Sequence, residues 1–216
     1  MKIQWKFSAV LCLVFVFALA LASIAQTTAT PAPTTLSAEE REAALKSLQA
    51  THDAFLQSIA GLSEKQWRFK PAPDRWSVAE VSEHITVAES AIFGMIQGKI
   101  MTSPAEPAKR AEVAGKDETI LKMVPDRSHK VQAPEFLQPT GRWATQAELA
   151  KTFEDSRKAT MDYVRTTNDD LRDHFGPHPL LGPMDAYQWI LLISAHSERH
   201  TKQIEEVKAD PNFPKE

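Results

Sequence analysis

Four stretches of roughly 20 residues repeat apolar side chains at intervals of three and four, and this spacing constrains the fold more than any other feature. The residues that would begin these four helices are Ser37, Ser77, Thr145 and Asp185. Glu80 and Glu148 stand three residues after Ser77 and Thr145, which is the capping-box pattern. Because each helix has one apolar face to bury, the sequence predicts an all-α four-helix bundle without a confident strand.

The N-terminus has the pattern of a signal peptide over residues 1–25. Lys2 and Lys6 precede an uninterrupted apolar run over residues 9–22, and small residues suit cleavage after Ala25. The run is short for a membrane span, although an uncleaved anchor is the alternative. We therefore expect an exported protein, periplasmic or extracellular, that is not attached to a membrane after cleavage.

A long connection is predicted between helices two and three, over residues 98–142. It contains five prolines and no sustained period, apart from a helical turn at 119–124. Connections of this length are typical of lids and binding loops, so Asp126, Arg127 and Arg142 are candidates for substrate contact. The other predicted segments are a Thr/Ala/Pro-rich linker at 26–36, the bundle domain at 37–210 and a C-terminal tail at 211–216.

Composition excludes several classes of function. The formal net charge is -3 and no basic stripe is present, so nucleic acid is not an expected partner. Cys12 is the only cysteine and lies inside the apolar run. The processed protein would therefore have no disulfide and no thiolate, and nitrogen or oxygen atoms would have to bind any metal.

Two histidines interrupt the apolar stripe of the fourth helix. His196 and His200 are one turn apart on one face, close enough to share an ion. They fill a gap in the stripe formed by Trp189, Ile193, Ile204 and Val207. Burial of an imidazole without a partner costs about 1–3 kcal/mol, so the pair needs either polar neighbours or a metal.

His84 lies at the edge of the apolar stripe of the second helix. Three core-facing histidines from two helices suit a facial three-histidine site with open positions for water or substrate. Neutral imidazole binds Zn, Ni, Fe or Cu, and the sequence does not choose among them. The alternative is that the histidines are satisfied by ordinary buried polar groups.

Other metal patterns do not match. A di-iron bundle requires Glu three residues before each histidine, and these positions hold Val81, Ile193 and Ser197. Glu198 points away from His196, unlike the acid of a zincin motif. His52 also falls on an apolar stripe, that of the first helix. It is either a fourth ligand or a hydrogen-bonded core residue, and we favour the second. The remaining histidines are expected on the surface, in loops, and are His129, His174 and His178.

The chain resembles the DinB-like (damage-inducible) superfamily over residues 37–208. The matching segments are Gly61-Leu62-Ser63, Trp67 with Lys70-Pro71, Trp76-Ser77-Val78-Ala79-Glu80 before His84-Ile85, and His196-Ser197-Glu198-Arg199-His200-Thr201-Lys202-Gln203-Ile204. The resemblance implies a four-helix bundle with one divalent ion (Zn, Ni or Fe) on His84, His196 and His200. Bundles of this superfamily often dimerise, so a homodimer is an expectation.

The resemblance also implies a reaction class. Relatives include thiol transferases that use cytosolic thiols, and an exported protein would lack these cosubstrates. We therefore expect metal-dependent hydrolysis of a small molecule in preference to thiol transfer. Glu80 is a weak candidate for general base, because it also fits the capping box. The alternative function is a non-catalytic module in which the ion stabilises the bundle.

Overall fold

The computed structural model of the protein describes residue 1 and residues 35–215. The predicted signal peptide, apart from its first residue, and residues 26–34 of the linker lie outside the described residues. The helices are α1 (Ala38–Ile59), α2 (Glu64–Arg68), α3 (Val78–Met95), α4 (Lys116–Met123), α5 (Gln146–Thr166) and α6 (Ala186–Lys208). The four long ones, α1, α3, α5 and α6, confirm the predicted four-helix bundle. No helix in the described part of the chain is long and apolar enough to cross a membrane.

Each long helix begins at the residue that the sequence indicates. The N-cap side chains of Ser37, Ser77, Thr145 and Asp185 accept hydrogen bonds from backbone amides three residues on. In each case the side chain at that third position accepts from the N-cap amide in return, which completes a capping box. Such caps each contribute about 1 kcal/mol and define where the apolar stripes begin.

The packing order of the bundle brings α3 beside α6. Both α1 and α3 pack against α5 and α6. Buried apolar residues form two clusters, one around Leu48 and Ile193 and the other around Phe55 and Ile204. Because the second and last long helices are neighbours, side chains 112 and 116 residues apart in sequence can meet at one site.

A β-hairpin precedes α6, in a part of the chain where the sequence predicts no confident strand. Strand β1 (Phe175–His178) pairs antiparallel with β2 (Gly182–Asp185). Pro177 lies opposite Pro183 in this hairpin. Because proline has no amide hydrogen to donate to a strand ladder, a segment that contains proline is not predicted as a strand.

The connection between α3 and α5 begins later than predicted. A π-helical turn over Ile96–Ile100 continues α3 and buries both of its isoleucines. The connection then runs over residues 101–145. It contains α4, which confirms the predicted helical turn, and two 3₁₀ segments at Pro107–Val113 and Glu135–Leu137. The second of these segments lies against α3.

Candidate metal centre

Three histidine rings meet where α3 packs against α6. His84 is buried on α3, and His196 and His200 are half-buried on α6. The Nε2 atom of His84 lies 3.1 Å from Nε2 of His196 and 3.2 Å from Nε2 of His200. Possible ligand atoms of the three residues all lie within 4.8 Å of one another. The structure thus brings together the three histidines that the sequence singles out.

The surroundings keep all three imidazoles neutral. Burial lowers the pKa of His84, although the hydrogen bond of its ring to the Leu137 carbonyl acts in the opposite direction. Burial, together with the nearby His84, lowers the pKa of His196 to about 3. Burial and the proximity of His196 hold the pKa of His200 well below its ordinary value. Neutral imidazole is the form that binds a metal.

Hydrogen bonds at the far side of two rings define their tautomers. Nδ1 of His84 donates to the backbone carbonyl of Leu137 at 2.9 Å. Nδ1 of His200 donates to Oε1 of Gln203 at 2.8 Å. Arg127 also donates to this amide oxygen, at 3.3 Å, and a guanidinium can only donate, which supports the assignment of the oxygen. Nε2 of His84 and Nε2 of His200 therefore both carry a lone pair instead of a hydrogen.

The arrangement fits a divalent ion. Two unprotonated nitrogens face each other at 3.2 Å, and a proton on Nε2 of His196 could serve only one of them. Zinc binds imidazole nitrogen at about 2.0–2.1 Å, so tetrahedral ligands stand roughly 3.3 Å apart. The observed nitrogen separations are close to this value. A cation among the three atoms would satisfy all the lone pairs together.

The connection is held on α6 by Arg199, which lies next to His200. Its guanidinium donates to the carbonyls of Val124 at 3.1 Å and His129 at 2.6 Å, and also to that of Asp126. On the other side, the ring of Trp76 lies 5.2 Å from the His84 ring, between centroids. The Trp76 ring and the Leu137 carbonyl of the connection therefore both lie beside the His84 ring.

The other predicted site residues are engaged in structural contacts. Glu80 accepts from the Ser77 amide at 2.7 Å and from Lys70 at 3.0 Å, so both carboxylate oxygens serve the start of α3. Arg127 forms a two-pronged pair with Glu206 on α6. These contacts anchor the chain around the site.

Histidines outside the cluster differ in part from their predictions. His52 bonds to Asp53 at 2.8 Å, but its side chain is 21% exposed, so it lies at the edge of the core. His129 is exposed, as predicted. His174 lies in a loop, as predicted, but it is half-buried and donates to the Ser103 carbonyl at 2.8 Å. The loop prediction was wrong for His178, which is half-buried on β1 beside the Trp189 ring.

Sequence reasoning missed Glu83, the residue before His84. It is buried and accepts hydrogen bonds from Thr140, Gly141 and Arg142 of the connection. Burial acts to raise the pKa of Glu83, but the backbone amides of Thr140 and Gly141 and the Arg142 guanidinium outweigh it, so the pKa lies below its ordinary value. On a helical wheel Glu83 lies opposite the apolar stripe that contains Val81 and Ile85, so no pattern in the sequence indicated its burial.

The fold and the site define a class of protein: a four-helix bundle with a three-histidine cluster between its second and last long helices. The chain belongs to the DinB superfamily, whose family model matches residues 47–204. This confirms the resemblance drawn from the histidine segments.

Two comparisons with individual proteins extend this assignment. The chain is 23% identical over 150 residues to the uncharacterized protein YuaE of Bacillus subtilis (strain 168), covering 69% of this chain and 88% of that protein. It also resembles the solved structure of YfiT from Bacillus subtilis, with a TM-score of 0.54 and 13% identity, covering 86% of this chain and 95% of the other. YfiT is described as a probable metal-dependent hydrolase with an unusual four-helix bundle topology, and the likeness shows the fold.

Proposed function

We propose that His84, His196 and His200 bind one divalent metal ion through their Nε2 atoms, and that the protein is an exported metal-dependent hydrolase. The candidate ions are Zn, Ni and Fe, which neutral imidazole accepts. The description of YfiT as a probable metal-dependent hydrolase supports the same reaction class.

The facing lone pairs of His84 and His200 carry the proposal. Both residues commit the Nδ1 hydrogen to an outer acceptor, and both point a bare Nε2 atom at the same place. Burial opposes protonation of either ring. Lone pairs left unsatisfied in a buried site cost about 1–3 kcal/mol each, so a bound cation is the arrangement that these residues favour.

The chain would contribute three neutral ligands and leave the remaining coordination positions open. A divalent ion held in this way lowers the pKa of water and polarises a carbonyl oxygen. In the described part of the chain, the cluster comprises these three histidines and no carboxylate. The Leu137 carbonyl and Gln203 keep the Nε2 atoms of His84 and His200 free of hydrogen. Trp76 and the Leu137 carbonyl of the connection lie beside the His84 ring.

Hydrolysis is favoured over thiol transfer because of the N-terminal segment. Lys2 and Lys6 before the apolar run of residues 9–22 favour export, which would separate the protein from cytosolic thiols. Water is available in every compartment. A signal-processed protein recovered from the periplasm or the medium would support export, and an intact chain in the cytosol would contradict it.

The test is turnover by the purified, metal-loaded protein on panels of esters, amides and thiol acceptors. We expect hydrolysis that disappears with chelator and in His200→Ala. His52→Ala is the matched control, because it removes an imidazole outside the cluster and should leave turnover unchanged. A complete panel without metal-dependent turnover in a protein that binds one ion per chain would contradict the hydrolase assignment and leave a non-catalytic metal module.

A further inference from the structure

We infer that Glu83 is a positioning residue of this centre: it holds the connection against α3 so that the Leu137 carbonyl fixes the tautomer of His84. The predicted effect on metal affinity rests on the proposed function, whereas the hydrogen bonds between Glu83, the connection and His84 do not depend on it. We call Glu83 and its partners Thr140, Gly141 and Arg142 the Glu83 clamp.

The carboxylate of Glu83 is surrounded by donors from the connection. Oε1 accepts from the Thr140 amide at 2.7 Å and from Nη1 of Arg142 at 2.6 Å. Oε2 accepts from the amides of Gly141 at 2.8 Å and Arg142 at 3.4 Å. The side chain is only 6% exposed, so these contacts replace its hydration. Charge-assisted bonds of this kind are about twice as strong as neutral ones.

Gly141 allows the amides to converge. Its φ of +79° lies in the left-handed region, which glycine adopts without a steric penalty. Successive amides around such a residue form an anion-binding concavity. A carboxylate from α3 occupies this concavity, so the turn and the helix define each other's position.

The clamp is linked directly to the bond on His84. Nη1 of Arg142 donates both to Glu83 and, at 3.0 Å, to the carbonyl of Gln138. Gln138 follows Leu137, whose carbonyl accepts from Nδ1 of His84. Because Glu83 and His84 are adjacent on α3, one short segment contacts both. Without the clamp, the Leu137 carbonyl would lose its anchor on α3, and the His84 hydrogen could move to Nε2, where it would block metal binding.

The test compares Glu83→Gln with Glu148→Gln. The first substitution would place an amide NH₂ group against the donors of the clamp. Glu148 also accepts from backbone amides at the end of the connection, those of Ala144 and Thr145, but it has no link to Leu137. Nitrogen-15 NMR of the metal-free proteins would report which nitrogen of His84 carries the hydrogen, and Co²⁺ titration would report affinity.

We expect the wild type and Glu148→Gln to show His84 protonated at Nδ1. Glu83→Gln should show a mixture of tautomers and a Co²⁺ affinity lower by about 10- to 100-fold, the usual effect of losing an outer partner of a metal ligand. A folded Glu83→Gln protein with the wild-type His84 spectrum and an affinity within about twofold of the wild type would overturn the inference.

Two further measurements test the role of Glu83. If Glu83→Gln does not fold, Arg142→Gln removes the guanidinium from a half-exposed position, and it should shift the tautomer in the same direction by a smaller amount. An unchanged spectrum in that variant would count against the clamp. If the wild type binds no Co²⁺, the proposed function fails, whereas the NMR comparison still decides whether Glu83 controls His84.

Discussion

Two buried glutamates on α3, Glu83 and Glu89, are both paired with arginine, yet they serve different parts of the molecule. Glu89 forms a two-pronged pair with Arg157 of α5, at 2.8 and 2.7 Å, and both side chains are fully buried. Glu83 faces the connection and bonds mainly to backbone amides. Glu89 and Arg157, which we call the brace, connect α3 to α5 inside the bundle, whereas Glu83 orders a loop beside the histidines.

The contacts of Arg157 show what the brace does. It also donates to the Leu48 carbonyl, Thr51 and Ser197, while Thr160 donates to Glu89. These partners come from all four long helices, and the side chains among them stand, along each helix, between the two apolar clusters. The charge of Glu89 is therefore satisfied by side chains of the bundle, whereas the charge of Glu83 is satisfied mainly by backbone amides of the connection.

The largest effect should come from breaking the brace. Arg157→Leu leaves the Glu89 carboxylate buried without a counter-charge, and such losses cost about 3–5 kcal/mol. Urea denaturation should show this decrease, and the double variant with Glu89→Leu should recover most of it, because well-packed apolar pairs can replace a buried ion pair. A decrease below about 1 kcal/mol in Arg157→Leu would show that the pair adds little.

Metal removal should have the next largest effect. An ion that binds only the folded chain adds about 2.7 kcal/mol at a free concentration a hundredfold above its Kd. Thermal unfolding with Zn²⁺ and with chelator should reveal the difference. His52→Ala should keep this difference and His200→Ala should lose it. Equal melting temperatures under both conditions in the wild type would argue against binding.

A smaller effect is expected at the clamp, from Gly141→Ala. No atom stands within 4 Å of a Cβ placed there, so the cost comes from the positive φ alone, roughly 1–2 kcal/mol. Gly94→Ala is the matched control: it also meets no atom within 4 Å, but it lies inside α3 and should stabilise by about 0.5–1 kcal/mol. Chemical denaturation measures both, and equal signs would contradict this account of Gly141.

The smallest effect concerns the pH dependence of stability. The pKa of Glu83 is lowered in the folded chain, so its contribution is present above the unfolded value of about 4.3 and is lost as pH falls through the folded value. In metal-free protein, the gap in unfolding free energy between wild type and Glu83→Gln should therefore shrink below about pH 4.3. A gap that widens on acidification would contradict a lowered pKa of Glu83 in the folded chain.

The bundle could be predicted from sequence because its signals are local. Apolar spacing and the caps at Ser77 and Thr145 depend on neighbours within one or two turns. The spacing of His196 and His200 shows only that they share a face. The position of His84 beside its own apolar stripe, together with the family resemblance, predicted that it would join the pair. The structure places the three rings together. Ion binding by them stays a prediction.

The two glutamate networks could not be predicted in the same way. Arg157 stands 68 residues from Glu89, and Thr140 stands 57 from Glu83, so neither pairing leaves a local pattern. On a helical wheel Glu89 lies at the edge of the apolar stripe of α3 and Glu83 on the opposite face, so both resemble ordinary polar residues. Their burial follows from the packing of α3 against α5, α6 and the connection, which only the assembled fold determines.

The most direct test of the metal centre is the metal content of the full chain, expressed without an affinity tag, reconstituted with Zn²⁺ and freed of excess ion. Elemental analysis should find close to one ion per chain in the wild type and in His52→Ala, and a ratio near zero in His200→Ala. A ratio near zero in the folded wild type would contradict the central claim that the three histidines form a metal centre.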